Sequence, residues 1–498
     1  MFAWSDRHHI RERQCSLEGS PSTPFGTSSR PCAKREIGIE PSPPRGANTV
    51  RIYLAGAAFV VALLVLMPAS STTAVVSVGS TPTFDSEQPF PGGGAYWEPT
   101  IATDPSSSYV YQAVTYINAS KTCSGCPGTA IFLRSSSDGG ATWGAARPVS
   151  LARGRGWQFD PQIKVATDGT VYVVFLQTFN PGSVLFKSTD HGATWSGPFT
   201  MNGAISYNDK PILVISPSGQ DVYVAFNVKL ASYVAVSHDA GRTFAQVQTS
   251  NESLWWYTYG GTYAPDGSVY FAQAGEAGAK TNGKRTNQGH TDGIQKIFVL
   301  KMNHEGTAWE NVYVDTSMVA TPCAIFGCYG DYFAAQSAVA ADSAGHLILA
   351  YTRNDVNGTA HKMYLRTSSD GASWSGPVLF NDQGDSNFPA IVAGPSAGDF
   401  RLAWQDNRYA GCWDCGGLGS WNTWYAQTTN GGGTWTASVR LSNLGSGAPY
   451  KTPQGYAFPD GDYFGLAVDS AGTNHVIWGE ADGSLLYCCG GAWYTRGA

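Results

Sequence analysis

Charge is scarce in this chain. Asp, Glu, Lys and Arg make up 14% of its 498 residues, and 31 basic against 37 acidic residues leave a formal net charge of −6. Nucleic acid demands a basic footprint, so that partner class is excluded. Disordered and coiled-coil chains are rich in charge and poor in aromatics; here 13% of residues are aromatic, which excludes both as a description of the whole. Histidine is sparse as well, at nine residues. The sequence has no G-x-x-x-x-G-K-[ST], no G-x-G-x-x-G opening a helix and no H-E-x-x-H, so phosphate-loop, dinucleotide and zincin chemistry have no signal. What the chain has in quantity is 59 Gly, 27 Pro, 16 Trp and 25 Tyr.

Long apolar runs are absent except for one. Residues 1–51 hold eight Lys or Arg, five acids and clusters of Ser and Pro, a composition read as a disordered extension. Ile52 to Ala69 follows, 18 residues without a charge, just enough to cross a bilayer core of about 30 Å. Basic residues precede this run and none occurs in the 40 residues after it, so the C-terminal bulk is expected outside. Residues 52–73 are then either a single-pass anchor or a secretory signal cleaved near Ala69 or Ala74. Residues 74–498 form the expected extracellular or cell-surface domain, touching membrane only through an uncleaved N-terminal segment. Eight of ten cysteines lie there in close pairs, 123/126, 323/328, 412/415 and 488/489, which favours local disulfides outside the cell. A zinc site from the two C-x-x-C pairs is the alternative. Asn118, Asn251 and Asn357 begin N-glycosylation sequons.

One octapeptide recurs. Ser136-Ser137-Asp138-Gly139-Gly140-Ala141-Thr142-Trp143 returns as Ser188 to Trp195 and Ser237 to Phe244, shortened by one from Ser368 to Trp374, and with Asn430 for the acid from Thr428 to Trp435. A degraded copy runs from Asn303 to Trp309. In S-x-D-x-G-x-T-W the Ser and Asp side chains bond back to the turn's own amides. Glycine tolerates φ > 0, and the terminal aromatic covers a large apolar area. This turn is the Asp-box, and residues of about 80 to 496 resemble the sialidase-like propellers that carry it.

A second repeat precedes each box. Pairs of period-two or fully buried strands begin near Pro99, Pro161, Pro211, Gly261, Phe333, Pro389 and Phe464, joined by turns such as Asp168-Gly169. Seven such units predict an all-β Asp-box propeller of seven four-stranded blades. Six blades plus a stray hairpin is the alternative, since the resembled enzymes have six. The last unit lacks a clear fourth strand, and an N-terminal strand, Ala74 to Val78, is expected to close it.

Propeller wiring puts every Asp-box on one face, with the starts of the inner strands and the ends of the second strands on the other. Function is expected on that other face, where loops sit over a rigid scaffold. At the inner-strand starts lie Trp97-Glu98, Trp157 with Asp160, Tyr207 with Asp209, Trp255 to Tyr257, Asp331-Tyr332 and Asp462-Tyr463; at the second-strand ends lie Gln177, Asn227, Glu276, Arg353 to Asp355, Asp406 to Arg408 and Glu480. Acids beside aromatics suit sugars, whose rings stack on the aromatics while carboxylates take their hydroxyls. The same acids suit a hydrolytic carboxyl pair or Ca2+. The insertion Gly275 to Gly293, with Lys280, Lys284, Arg285 and His290, reads as a basic lid or a solvated loop.

The resemblance implies more specific roles. Sialidases hold the substrate carboxylate with three arginines and use an aspartate as acid/base and a glutamate-polarised tyrosine as nucleophile. Arg155, Arg353 and Arg408 are the matching clamp, Tyr332 and Tyr463 the nucleophile candidates, and Asp160 and Asp209 the acids. Trp97, Glu98, Trp157, Trp255, Asp331 and Asp462 complete the expected binding face. The family's aromatic-Arg-Ile-Pro opening reads Tyr96-Trp97-Glu98-Pro99 here, with Trp in place of the first arginine. Three functions therefore stay open: recognition of carbohydrate or glycoprotein, exo-acting glycoside hydrolysis of sialidase type, and a calcium-stabilised structural envelope protein.

Overall fold

Alternating apolar side chains on short strands leave each hairpin with two faces to bury, and the chain solves this radially. The computed structural model describes residues 72–498 except 74, 77–80, 92–94, 152–155, 179, 206–207, 229, 251–253, 279, 282–283, 286–290, 319–334, 357–358, 410–420, 443–450, 453–454, 457–462 and 482–489. The described residues belong to one unit, Pro68–Ala498. They form the seven four-stranded antiparallel blades of a propeller, the seventh drawing its outer strand from the N-terminal segment and the fifth extended by one parallel strand. Their inner strands are Tyr96–Thr103, Gln158–Val165, Asp209–Ile215, Trp255–Tyr263, Ser337–Ala341, Ser386–Ala393 and Gly465–Val468. The one helical element among the described residues is a 3-10 turn, Ala119–Lys121. No helix among the described residues is long and apolar enough to cross a membrane, and the run 52–69 lies outside them.

Each Asp-box works as expected within its turn. In blade 1, Gly140 N donates to Ser136 Oγ at 2.8 Å and Thr142 N to Asp138 Oδ1 at 2.8 Å. Thr142 Oγ1 reaches Asp138 Oδ2 at 2.6 Å, and blade 2 repeats these bonds through Ser188, Asp190 and Thr194. Asn430 keeps the geometry without a charge, accepting from Thr434 N at 2.9 Å. The hydrogen bonds from Thr194 and Ser188 hold the Asp190 carboxyl down at about 2.

The boxes also do something between blades. Trp195 of blade 2 packs into the cluster it shares with blade 1, Phe244 of blade 3 into that with blade 2, and Trp309 into that with blade 3. Trp374, Trp435 and Trp143 continue the series against blades 4, 5 and 7. The box glycine lies equally close. A Cβ on Gly371, at φ +68°, would stand 2.1 Å from Tyr270 of the preceding blade.

Blade 7 lacks a box, and the N-terminal segment replaces it. Gln88–Pro89 pairs with Trp493 and Tyr494 as the outer strand, and Thr83 exchanges two 3.1 Å backbone bonds with Ala498. Phe84 meets Tyr425 of blade 6 edge-on at 4.9 Å, within the cluster shared by blades 6 and 7, where a box aromatic would otherwise sit. The closing strand is therefore residues 88–89, not Ala74 to Val78. Val75–Val76 instead runs parallel to Thr434–Trp435 in blade 6, and Thr72–Thr73 parallel to the outer strand of blade 5. Exposed strand edges offer backbone groups to which a further segment can pair.

Gly371→Ala should lose about 2 kcal/mol or more, because it adds left-handed strain to the clash with Tyr270. Gly376→Ala, with nothing within 4 Å, should be near neutral. Urea unfolding of both variants measures the difference; equal midpoints would remove the inter-blade role of the box glycine.

Candidate functional site

The inner strands share a defect that the pattern of residues causes. Glu98, Asp160, Lys210 and Phe388 each precede a proline, and each has a positive φ, 54°, 56°, 52° and 52°. A β-bulge lies at all four, since proline removes a ladder donor and pushes its predecessor out of register. Non-glycine residues held in this region cost of order 1–3 kcal/mol each. Counting back from the hairpin places Gln336 of blade 5 and Tyr463 of blade 7 at the same level, and Tyr259 sits at the bulge of blade 4. These seven residues form a ring inside the propeller, near the face opposite the Asp-boxes.

Neighbouring members of the ring are tied to one another. Glu98 Oε2 accepts from the Asp160 backbone N–H at 2.8 Å and from Thr115 Oγ1 at 2.9 Å. Gln336 Oε1 accepts in the same way from Phe388 N. Lys210 Nζ reaches across to Tyr463 Oη at 3.5 Å and lies 4.9 Å from the ring centroid. Tyr259, Gln336, Phe388 and Tyr463 line a cavity of about 40 Å³ between them, room for a water.

Electrostatically the ring is held out of its ordinary state. Burial raises the Glu98 carboxyl, with the Asp160 N–H, Lys210 and Thr115 opposing. Burial also drives the Asp160 carboxyl well up; the charge of Glu98 adds to this, Lys210 opposes it and Asp209 contributes further. The charge of the Glu98 carboxyl opposes ionisation of Asp160, so the two titrate as a coupled pair. Beside them lies a shelf of half-buried aromatics, Trp97 with its centroid 6.4 Å from Phe159, and Phe159 5.3 Å from Trp157.

The structure thus brings together Glu98, Asp160, Asp209, Tyr463, Trp97 and Trp157 of the expected face. Trp255 begins the inner strand of blade 4, opposite Glu276. Arg353 and Arg408 are engaged elsewhere. Arg353 bonds Asp315 at 2.9 Å and Asp355 at 2.6 Å and covers the Tyr364 ring. Arg408 binds both oxygens of Asp406, at 2.9 and 2.6 Å, and stacks 3.5 Å from the Trp424 centroid. Arg155, Tyr207, Asp331, Tyr332 and Asp462 lie outside the described residues, as do the cysteine pairs 323/328, 412/415 and 488/489. Cys123 and Cys126 are joined as a disulfide, which removes that C-x-x-C from zinc binding. In blade 4 the second and third strands run on into the insertion, where Lys280–Thr281 pairs with Lys284–Arg285; the side chains of the expected lid lie outside the described set.

The sequence also carries Gly394-Pro395-Ser396-Ala397-Gly398, outwardly a nucleophile elbow. It joins the inner and second strands of blade 6 in a hairpin instead of a strand to a helix, so Ser396 has no elbow geometry. Lys210, Gln336 and Phe388 were not among the expected residues. The X-Pro dipeptide at Glu98-Pro99, Asp160-Pro161, Lys210-Pro211 and Phe388-Pro389 was the signal that marks their level.

Comparison with family models finds none that matches, and no curated protein matches the sequence. The fold is a seven-bladed β-propeller, and solved structures similar to the chain include sialidases and a polysaccharide lyase. The Hadza microbial sialidase Hz136 is 16% identical, with a TM-score of 0.41 over 81% of this chain and 65% of its own; the chain thus spans under two thirds of that enzyme's length. A PL25 ulvan lyase bound to its saccharide is 12% identical, with a TM-score of 0.46 over 80% of this chain and 94% of its own. The phage phi92 endosialidase is 10% identical, with a TM-score of 0.45 over 83% of this chain and 68% of its own. At such identities and TM-scores the likeness carries no argument about what this chain does.

A raised carboxyl binds a proton in the folded state that the unfolded chain has released, so stability falls as pH rises above the unfolded value of about 4. Asp160→Asn should therefore be more stable than the parent at pH 8, with the gap closing toward pH 4. Denaturant titrations at several pH values measure this, and parallel pH profiles for the two proteins would refute the buried pair.

Proposed function

We propose that this protein is an exported propeller that recognises glycans or glycoproteins on the face formed by its inner-strand starts. The observation that carries the reading is the shelf of Trp97, Phe159 and Trp157 beside Glu98, Asp160 and Lys210. Aromatic faces accept the apolar face of a pyranose, while neighbouring carboxyl and ammonium groups take and give hydroxyl hydrogen bonds. Sites of this kind combine apolar walls with a few convergent polar groups. The Cys123–Cys126 disulfide supports an oxidising location, where residues 52–73 act as signal or anchor.

Hydrolysis of sialidase type is the second reading, and two contacts weigh against it. Arg353 and Arg408 already share their guanidiniums with Asp315, Asp355 and Asp406, whereas a substrate clamp needs them free. Glu98 already spends a carboxylate oxygen on the Asp160 N–H and on Thr115 Oγ1, whereas a catalytic carboxyl must reach the bond it cleaves.

The full chain, applied to immobilised neutral, sialylated and uronic-acid glycans and to matching fluorogenic glycosides, tests the proposal. Binding without sugar release is expected, weakened at least about tenfold in a folded Trp97→Ala/Phe159→Ala variant. Release from a sialoside that disappears in Arg353→Ala/Arg408→Ala would establish the hydrolase instead. Absence of glycan binding, with a melting temperature that falls on chelation, would leave a calcium-held structural protein.

A further inference from the structure

On the opposite face, two successive Asp-boxes depart from the others in the same way. The second position of the box is Ser137, Thr189, Ser369 or Thr429 in four copies, but His238 in blade 3 and His304 in blade 4. The two imidazoles lean toward each other, centroids 5.2 Å apart and planes at 37°. Asp221, the residue before the second strand of blade 3, stands between them. Its Oδ1 is 2.8 Å from His238 Nδ1 and its Oδ2 is 3.1 Å from His304 Nε2. One ligand atom from each of the three residues lies within 4.8 Å of the others.

We infer that Asp221, His238 and His304 form a binding site for a divalent transition-metal ion, of which Zn2+ is the probe of choice, clasping blade 3 to blade 4. Two imidazole nitrogens and one carboxylate are a donor set that zinc accepts, with a fourth position left for water or a further ligand. Ligands about 2.0–2.2 Å from one ion in a tetrahedron stand a little over 3 Å from one another; one atom from each residue here already falls within 4.8 Å of the others, and each histidine faces its own oxygen of Asp221. The imidazole side chains are 43% and 40% exposed while that of Asp221 is 12%, so the carboxylate is fixed and solvent reaches the histidines.

The surroundings hold these side chains in place. Asp221 N donates to Ser216 Oγ at 3.0 Å. Tyr223 Oη donates to the His304 carbonyl at 2.5 Å, and the Tyr223 ring stands edge-on to His238. Glu305 Oε1 lies 3.6 Å from His304 Nδ1, the nitrogen that would not ligate. A carboxylate behind a ligating histidine fixes its tautomer and raises its basicity. Neither the glycan face nor the ring of inner-strand residues takes part, so the inference stands apart from the proposed function.

The test compares the chelator-treated full chain with a His238→Ser/His304→Ser variant by calorimetric titration with Zn2+. Serine occupies this position in two other boxes, so the variant retains the turn. The parent should bind one equivalent more than the variant, and Zn2+ should raise the melting temperature of the parent by a larger margin. Asp221→Asn should weaken that extra equivalent at least about tenfold. Equal stoichiometry in parent and double variant, or no Zn2+ binding by the parent, would overturn the site; melting curves without metal confirm that both proteins are folded.

Discussion

Everything in this molecule depends on how one blade is pressed against the next. A four-stranded sheet of these lengths cannot bury both faces alone, and a ring of seven does so by repeating one contact. The box glycine lets the turn's backbone approach the preceding blade, and the box aromatic fills the gap beside it. The Ser–Asp hydrogen bonds shape the turn so that both happen together. Loss of a box therefore needs a substitute. Phe84, brought by a segment whose backbone is tied to the chain's end, supplies it at the junction of blades 6 and 7. Closure of the ring and replacement of the missing contact are one event.

The ring of inner-strand residues follows from the same constraint. With the blade faces consumed by packing, the inner strands converge where side chains from different blades meet. A bulge at X-Pro turns the X residue inward, and its identity decides what the centre contains. Glutamate, aspartate and lysine in adjacent blades give a buried charged cluster; glutamine, phenylalanine and tyrosine give a neutral wall. Glu98 and Gln336 show that one frame serves both, because each accepts the N–H of its counterpart in the next blade. That common bond is structural. Pairing of two carboxyls is not required by it, since glutamine makes the same tie without ionising, and two carboxyls buried together cost stability.

How much of this could be read from residues alone differs by level. Blade number, box turns and box hydrogen bonds were legible, because each rests on local chemistry repeated along the chain. The closing strand was misplaced to residues 74–78. A two-residue strand such as Gln88–Pro89 carries no periodicity, whereas the apolar Ala74 to Val78 does. Glu98, Asp160 and Asp209 were visible as acids at strand starts, but their electrostatic coupling was not. Whether two acids flank a ligand or couple to each other depends on the bulge, a backbone feature with only proline as its trace. Arg353 and Arg408 show the converse. Their charge was legible, while the commitment of Arg353 to Asp315, 38 residues upstream, is a property of packing.

Repetition itself separates what is structural from what is chemical here. Positions that stay the same from blade to blade, such as the Ser, Asp and Gly of the box, answer to the fold. Positions where the frame tolerates anything are where this chain has placed titratable groups: Glu98, Asp160 and Lys210 at the X-Pro level, and His238 and His304 in the second position of the box. Both groups occupy consecutive blades, because only there do equivalent side chains come within reach of each other. A repeat protein brings two new side chains within reach of each other most readily by varying the same position in successive repeats, and this propeller has done so on both of its faces.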